Sequence, residues 1–181
     1  MKAVVVYESM YGNTQRVADA IGRGLAGAGE VVVVPVSEAG PAVVGDADLV
    51  VVGGPTHAHG MSRPSTRQAA VDQAKPDNSI DPSALGPRGT AGPGVREWLG
   101  SMPPIAASAA AFDTRAGVAP PLLTGRASKG IAKQLHQHGF AQVVEPESFL
   151  VDKENHLQPG EEERAQEWGA RLAAAVAPPR R

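Results

Sequence analysis

The sequence predicts an α/β fold in which a mostly parallel sheet is covered by helices on both faces. Runs of β-branched residues at 2–7, 30–36 and 49–52 are apolar at almost every position, which is typical of strands buried on both faces. The first run leads through a short polar loop into apolar residues at helical spacing. Parallel strands need crossover connections, which place helices on both faces of the sheet.

The first strand, loop and helix form the most informative part of the chain. A strand at residues 2–7 is followed by the hydroxyl-rich loop 9–14, in which Gly12 stands where the backbone must turn closely. Apolar residues then recur at helical spacing from Val17 to Leu25, and the glycines that follow end the pattern. A strand therefore feeds a helix through a tight polar turn.

This turn is predicted to bind a phosphate group. Its backbone N–H groups, the positive end of the helix dipole and the hydroxyls of Ser9 and Thr14 point to one spot beyond the strand. The loop contains no lysine or arginine, and neither a P-loop nor a dinucleotide fingerprint is present. Neutral donors would therefore hold the phosphate. The candidate residues are Ser9, Met10, Tyr11, Gly12, Asn13 and Thr14.

Residues 5–21 resemble the flavodoxin signature at every fixed position. Two apolar residues precede an aromatic residue, and a serine, a small residue and a threonine follow at the family's spacing, with an alanine and an aliphatic residue on the helix. In flavodoxins this loop wraps the phosphate of FMN, so the resemblance implies FMN as the cofactor. The alternative is a strand-turn-helix unit in which Ser9 and Thr14 only cap the helix.

Composition narrows the classes of protein further. The length suits one domain, expected to span residues 1–177 with a frayed tail at 178–181. The sequence has no apolar stretch of bilayer length and no signal peptide at its start, so a cytoplasmic protein without membrane insertion is expected. It has no cysteine, which excludes disulfides and thiol catalysis, and its net charge of −2 gives no basic footprint for nucleic acid.

The remaining elements complete a five-stranded sheet. The third strand is expected to end at Gly53, the fourth to cover 105–112 despite weak β propensity, and the fifth to begin at 140 and to be split by Pro146. A last helix is predicted from the acidic triplet at 161–163 onward. The flavodoxin resemblance implies the doubly wound strand order 2-1-3-4-5, with FMN between the ends of the first and third strands.

The stretch that follows the third strand is the second candidate for the cofactor site. In flavodoxin-like proteins this loop covers one face of the isoalloxazine ring. The resemblance therefore implies contacts from Pro55, Thr56, His57, Ala58, His59 and Gly60, with the two histidines as the cover, Met61 as a softer cover and the Gly60 backbone facing flavin N5.

Two other interpretations of the histidines stay open. His57 and His59 resemble half of a transition-metal site, but the second half is missing because Met61 and Ser62 follow, so no metal is predicted. Both histidines could also simply lie on the surface.

The middle of the chain is predicted to alternate between short helices and a long loop. Ser62 is a candidate N-cap for a helix that runs to about residue 71. Residues 75–94 contain many prolines and glycines and read as a long loop that could act as a lid. Trp98 and Leu99 belong to a short helix after this loop and are expected to pack on the sheet.

The end of the fourth strand is the place where flavodoxin-like proteins supply a second ring-binding loop. The resemblance therefore adds Phe112, Asp113, Thr114 and Arg115 as cofactor contacts, with Thr114 and Arg115 at the pyrimidine edge. Many electron-carrying flavodoxins stack a tyrosine on the flavin here, but both tyrosines of this chain, Tyr7 and Tyr11, lie in the first motif. One flavin face would thus stay open.

Three functions are compatible with this pattern. The first is an FMN-dependent oxidoreductase that passes electrons from a reduced nicotinamide or a protein donor to a flat acceptor such as a quinone. It would need no catalytic residue beyond the flavin, and the protein could form oligomers. The second is a one-electron flavodoxin carrier between protein partners, and the third is a cofactor-free scaffold of the same fold. A phosphoreceiver lacks support, because Glu8 stands alone and Gly53 and Gly54 occupy the place of its aspartate.

Overall fold

The fold is known from a computed structural model, which describes residues 1–57, 60–74, 79–85, 91–118 and 125–176. Its strands are β1 (Lys2–Tyr7), β2 (Glu30–Pro35), β3 (Leu49–His57), β4 (Gly60–Met61), β5 (Ser108–Ala116), β6 (Ala141–Gln142) and β7 (Glu147–Val151). Its helices are α1 (Asn13–Leu25), α2 (Pro41–Val44), α3 (Pro64–Asp72), α4 (Val95–Ser101), α5 (Ala127–Gln137) and α6 (Glu161–Val176). None of these helices is long and apolar enough to cross a bilayer.

The strands form the predicted doubly wound sheet. The order is β2-β1-β3-β5, with β6 and β7 one after the other along the outer edge of β5, and all of these pairs are parallel. The two short outer strands are the two halves of the predicted split fifth strand, so the order 2-1-3-4-5 is confirmed. Only β4 is antiparallel, and it forms a hairpin with the end of β3.

Apolar residues of the central strands alternate between two cores. Val4 and Val6 belong to the core on the face that α4 and α5 cover, whereas Val5 and Tyr7 belong to the core under α1 and α6. Trp98 and Leu99 pack in the first core, as predicted. Since every second residue serves a different core, the central strands are apolar throughout, which is the pattern that predicted a parallel sheet.

Two strand boundaries differ from the sequence-based expectation. β3 does not end at Gly53 but continues to His57, because its last residues pair with β5 and with β4. The Phe112 ring lies over Gly53, where a Cβ would be 2.1 Å from the ring. The glycine thus serves packing rather than a turn. β5 runs from Ser108 to Ala116 instead of 105–112, since its second half pairs with β7.

The start of α3 also differs from the prediction. Arg63, not Ser62, is the residue that precedes the first helical turn, and Thr66 Oγ1 accepts a hydrogen bond from the Arg63 N–H at 3.0 Å. Ser62 is buried and its hydroxyl is used elsewhere, as described below. The predicted tail 178–181 lies outside the described residues, as do 75–78 and 86–90 of the long loop.

Helices α1 and α6 touch through their backbones. A Cβ on Gly24 would lie 2.0 Å from the Gln166 carbonyl oxygen, and a Cβ on Gly169 would lie 2.3 Å from that of Ile21. Each helix therefore contributes one glycine to the contact. This close approach brings Trp168 of α6 against Phe112 and Phe149, whose rings form edge-to-face pairs with centroids 6.1 to 6.3 Å apart.

We predict that Gly169→Ala and Gly24→Ala each lower the free energy of unfolding by roughly 1–3 kcal/mol, because the added methyl group forces the helices apart. Urea denaturation of the purified variants measures this. Gly100→Ala is the matched control, since Gly100 lies on an exposed part of α4 with open space at its Cβ position. It should be neutral or stabilising by up to about 1 kcal/mol. Equal effects at all three glycines would contradict a specific helix contact.

Candidate functional site

The candidate site lies at the edge of the sheet where β1, β3 and β5 end. The pairs Tyr7 with Gly53 and Gly53 with Phe112 place the three strand ends side by side. Parallel strands share one carboxyl edge, and ligands of open α/β sheets bind at this edge where the strand order reverses. The first loop and the β3–β4 hairpin therefore border the same region.

The first loop leaves the start of α1 open to an anion. Ser9 Oγ accepts a hydrogen bond from the Gly12 N–H at 3.0 Å, and Gly12 adopts a φ of 84°, which favours glycine. α1 then begins at Asn13 without a side-chain cap and without an acidic residue in its first turn. Its first backbone N–H groups, at the positive end of the dipole, thus remain for a ligand.

Two hydroxyls from distant parts of the chain meet beneath this loop. Thr14 Oγ1 and Thr114 Oγ1 are 2.7 Å apart, and both side chains are buried. Asn13 is held from the other side, since its Nδ2 donates to the Asn155 carbonyl at 2.7 Å. A turn with uncapped N–H groups, space above Gly12 and buried hydroxyls fits a phosphate bound by neutral donors, as the sequence predicts.

Neighbouring segments brace the same loop. The Met10 side chain is buried, and its carbonyl accepts a hydrogen bond from the Asp81 N–H at 2.8 Å. The Tyr11 hydroxyl donates to the Ala70 carbonyl on α3 at 3.3 Å. Part of the long loop and α3 therefore support the first loop, so Met10 and Tyr11 act mainly as its framework.

Directly after β1, a buried carboxylate joins three elements. Glu8 is 5% exposed; one of its oxygens accepts a hydrogen bond from the Ser62 hydroxyl and the other accepts from the Val95 N–H at 2.9 Å. The carboxylate thus connects β1 to the end of the β3–β4 hairpin and to the first residue of α4. Burial raises the pKa of Glu8, and the two hydrogen bonds and the nearby Arg67 oppose this shift.

An almost fully buried arginine balances this carboxylate. Arg67 is 2% exposed and donates to Ser62 Oγ at 2.9 Å, to Glu97 Oε2 at 2.8 Å and to the Gly92 carbonyl at 3.1 Å. The backbone at Gly94 passes so close that a Cβ would lie 2.5 Å from the Arg67 guanidinium. We call Glu8, Ser62, Arg67 and Glu97 the buried polar cluster. Sequence reasoning missed its role, and the only signal was a charged residue directly after an apolar strand.

At the end of β3, the predicted ring contacts divide into two groups. Thr56 Oγ1 accepts a hydrogen bond from the Ala127 N–H at 2.9 Å, so its side chain caps α5. His57 pairs with Gly60 across the hairpin, and burial together with the positive charge of Arg67 lowers the pKa of the His57 imidazole. His57 is therefore neutral at neutral pH. Pro55 is half-buried beside them, and Ala58 and His59 lie outside the described residues.

The structure places residues 112–115, the predicted second ring-binding loop, in a strand rather than in a loop. These residues belong to β5, and the connection to α5 begins only at Gly117. Phe112 is fully buried in the aromatic core, where its ring contacts those of Phe149 and Trp168. Asp113 is also fully buried; its Oδ2 accepts a hydrogen bond from the Ser128 N–H of α5 at 2.7 Å, and burial raises its pKa.

The other two residues of this stretch lie nearer to the site. Thr114 pairs with Thr14 under the first loop rather than standing alone at a ring edge. Arg115 is half-buried near the end of β5, and its Nη1 donates to the Ala116 carbonyl at 3.2 Å. Residues 119–124 of the following connection are outside the described part of the chain. The part that is described holds no group of three or more side chains able to share a metal ion.

Comparison with known proteins agrees with this geometry. The model of the family described as flavodoxin matches residues 5–84, the segment that holds the first loop, the buried glutamate and the hairpin. A comparison with curated protein sequences finds no match. The chain therefore has a flavodoxin-like fold, as the resemblance of its first loop implied, and FMN is the cofactor of flavodoxins.

Solved structures share the fold over nearly the whole chain. A flavodoxin from the domain Archaea superposes with a TM-score of 0.65 at 22% identity, covering 97% of this chain and 99% of that one. A flavodoxin, WrbA-like protein from Agrobacterium tumefaciens gives 0.60 at 21% identity, with coverage of 97% and 96%. The flavodiiron protein from Giardia intestinalis gives 0.59 at 21% identity, and this chain spans 36% of it. These likenesses show that the chain has the fold of flavodoxins over nearly its whole length.

We predict that Thr14→Val weakens FMN binding by about 1–3 kcal/mol, because it removes a buried hydroxyl and leaves that of Thr114 without its partner. Riboflavin lacks the phosphate, so its affinity should fall much less. Fluorescence titrations of the wild-type and variant proteins with both flavins measure the difference, and Thr14→Ser, which keeps the hydroxyl, is the control. An equal loss for FMN and riboflavin would remove Thr14 from the phosphate site.

We also predict that Glu8→Gln changes how stability depends on pH. The pKa of Glu8 is raised in the folded state, so just above pH 4.5 the native protein keeps a proton that the unfolded chain has lost. The free energy of unfolding of the wild type therefore falls as the pH rises from about 4.5 through the folded pKa. Glutamine does not titrate, so the variant should gain stability relative to wild type across this window. Urea unfolding at several pH values tests this, with exposed Glu167→Gln as control; parallel curves for wild type and Glu8→Gln would refute it.

Proposed function

We propose that this chain binds FMN at the carboxyl edge of the sheet and acts as a redox protein. The observation that carries the proposal is the open start of α1, with Gly12 above it and the paired hydroxyls of Thr14 and Thr114 below. The residues that would hold the phosphate are Ser9, Gly12, Asn13 and Thr14, with Met10 and Tyr11 as the framework of the loop. The end of β3 and the β3–β4 hairpin would border the ring.

FMN, when bound, supplies both hydride and single-electron chemistry. The chain's own residues set the surroundings in which this occurs. Backbone N–H groups and hydroxyls bind the phosphate without a counter-cation from the loop, while His57 stays neutral beside the site and can exchange hydrogen bonds without adding charge. The buried polar cluster fixes the hairpin that carries His57, because Ser62 follows the hairpin directly.

All seven aromatic side chains of this sequence are described by the structure, and their positions support an open flavin face. Six are buried in the two cores, and the seventh, Tyr11, donates its hydroxyl to the Ala70 carbonyl. The six buried residues are Tyr7, Trp98, Phe112, Phe140, Phe149 and Trp168. A flavin without an aromatic cover leaves room for a flat molecule to stack against it.

We therefore favour an oxidoreductase that reduces a flat acceptor such as a quinone. Such a reaction would take a hydride from a reduced nicotinamide and a proton from solvent, and it would convert the quinone to a hydroquinone with two electrons and two protons; bound FMN would supply the chemistry of both transfers. The open ring face would receive the two flat molecules in turn. No side chain needs to form a covalent bond.

A one-electron carrier is the second candidate. It is favoured by the similar size of the two folds, because the match with the archaeal flavodoxin covers 97% of this chain and 99% of that one. A carrier would exchange electrons with protein partners at the same edge. A scaffold without a cofactor is the third candidate and predicts no flavin binding.

We predict that NAD(P)H bleaches the visible flavin absorption of the FMN-loaded protein under anaerobic conditions, and that 1,4-benzoquinone restores it. A spectrophotometric titration followed by dithionite measures this. If dithionite but not NAD(P)H bleaches the flavin, the carrier is favoured instead. A protein that takes up no FMN would exclude both redox functions. Free FMN at the same concentration is the control for direct chemistry.

A further inference from the structure

Charge is unevenly distributed over the fold, although the net charge is only −2. The segments 61–74, 91–104 and 125–139, which contain β4 and the helices α3, α4 and α5, hold six lysines and arginines against two acidic residues. The remainder of the chain has eleven against seventeen. One side of the molecule is therefore basic, and the mild net charge conceals it.

Four side chains form the exposed part of this side, and we call them the basic face: Arg63, Arg96, Lys129 and Lys133. Three are exposed and Arg96 is half-buried. Within the described part of the chain, none of the four forms an ion pair.

Among the described residues outside these segments, most lysines and arginines form ion pairs with nearby carboxylates. On the α1 and α6 side, Arg16 and Arg23 pair with Glu162, and Arg164 pairs with Glu147 and Glu161. The contrast matters because only uncompensated charges produce a field that reaches a partner across solvent.

The basic face borders the proposed cofactor site. Arg96 Nε approaches the Ser62 carbonyl at 3.5 Å, and the Ser62 hydroxyl donates to Glu8 directly after β1. Gly130, next to Lys129, packs on Met61 of the hairpin: a Cβ there would lie 3.2 Å from the sulfur. α5 itself starts at the end of β3, through the bond from Ala127 to Thr56. A partner seated on these cations would therefore lie beside the edge where electrons are exchanged.

We propose that the basic face is the docking surface for a small acidic redox protein. Its four cations stand on three segments, and Lys129 and Lys133 are one helical turn apart, about 6 Å along the axis. Charges spread in this way cannot converge on a single small anion, but they can orient a protein of opposite charge. The redox nature of the partner rests on the proposed function, whereas the binding itself does not.

The test measures binding of a plant-type ferredoxin, a small acidic redox protein, to the FMN-loaded and to the flavin-free protein by calorimetry. Cytochrome c, which is basic, serves as the probe of opposite charge. Titrations at low ionic strength and again at about 0.15 M, where the Debye length is about 8 Å, should show that salt weakens the ferredoxin complex.

The double variant Lys129→Glu/Lys133→Glu should raise the Kd for ferredoxin by roughly tenfold or more. Lys153→Glu/Arg171→Glu is the matched control, because it makes the same change in net charge at exposed positions on the loop before α6 and on α6 itself. It should leave the Kd nearly unchanged.

Several results would overturn the proposal: equal weakening by both double variants, tighter binding of cytochrome c than of ferredoxin, or no ferredoxin binding at low salt. Binding of a short single-stranded DNA through Lys129 and Lys133, without ferredoxin binding, would also overturn it. If the protein binds ferredoxin but takes up no FMN, the proposed redox function is wrong and the proposed docking surface is supported. Failure of the one proposal can therefore be distinguished from failure of the other.

Discussion

The carboxylate of Glu8 is the constraint on which the edge of the sheet depends. Burying a charged group costs on the order of several kcal/mol unless hydrogen bonds and an opposite charge offset this penalty. Here Ser62, the Val95 N–H and Arg67 supply that compensation, and each belongs to a different element. The end of β1, the hairpin and the start of α4 must therefore assemble together, and the candidate site lies between them.

Local sequence patterns predicted the elements that depend on local physics. The strand β1, the helix α6 and the strand order follow from β-branched runs, helical spacing and the flavodoxin resemblance, and the structure agrees with them. The boundaries of β3 and β5 were wrong, because a Gly-Gly-Pro sequence looks like a turn until the Phe112 ring above Gly53 is known.

The buried polar cluster was beyond the reach of sequence reasoning for a different reason. The partners of Glu8 lie 54 and 87 residues further along the chain, so no spacing rule connects them. Similarly, the hydroxyl pair of Thr14 and Thr114 joins residues 100 positions apart. The sequence could predict that Thr14 belongs to a phosphate loop, but not which residue completes it. Charge segregation was hidden as well, since a net charge sums over both sides of the sheet.

The way in which helices begin at this edge carries one more consequence. The starts of α4 and α5 are already occupied, by the Glu8 carboxylate at Val95 and by Asp113 and Thr56 at Ser128 and Ala127. Of these three helices, only α1 presents an unoccupied positive end, and the two carboxylates repel any second anion nearby. Under the proposed function, the edge therefore offers a position for one phosphate group and none for a second, which would favour a mononucleotide over a dinucleotide.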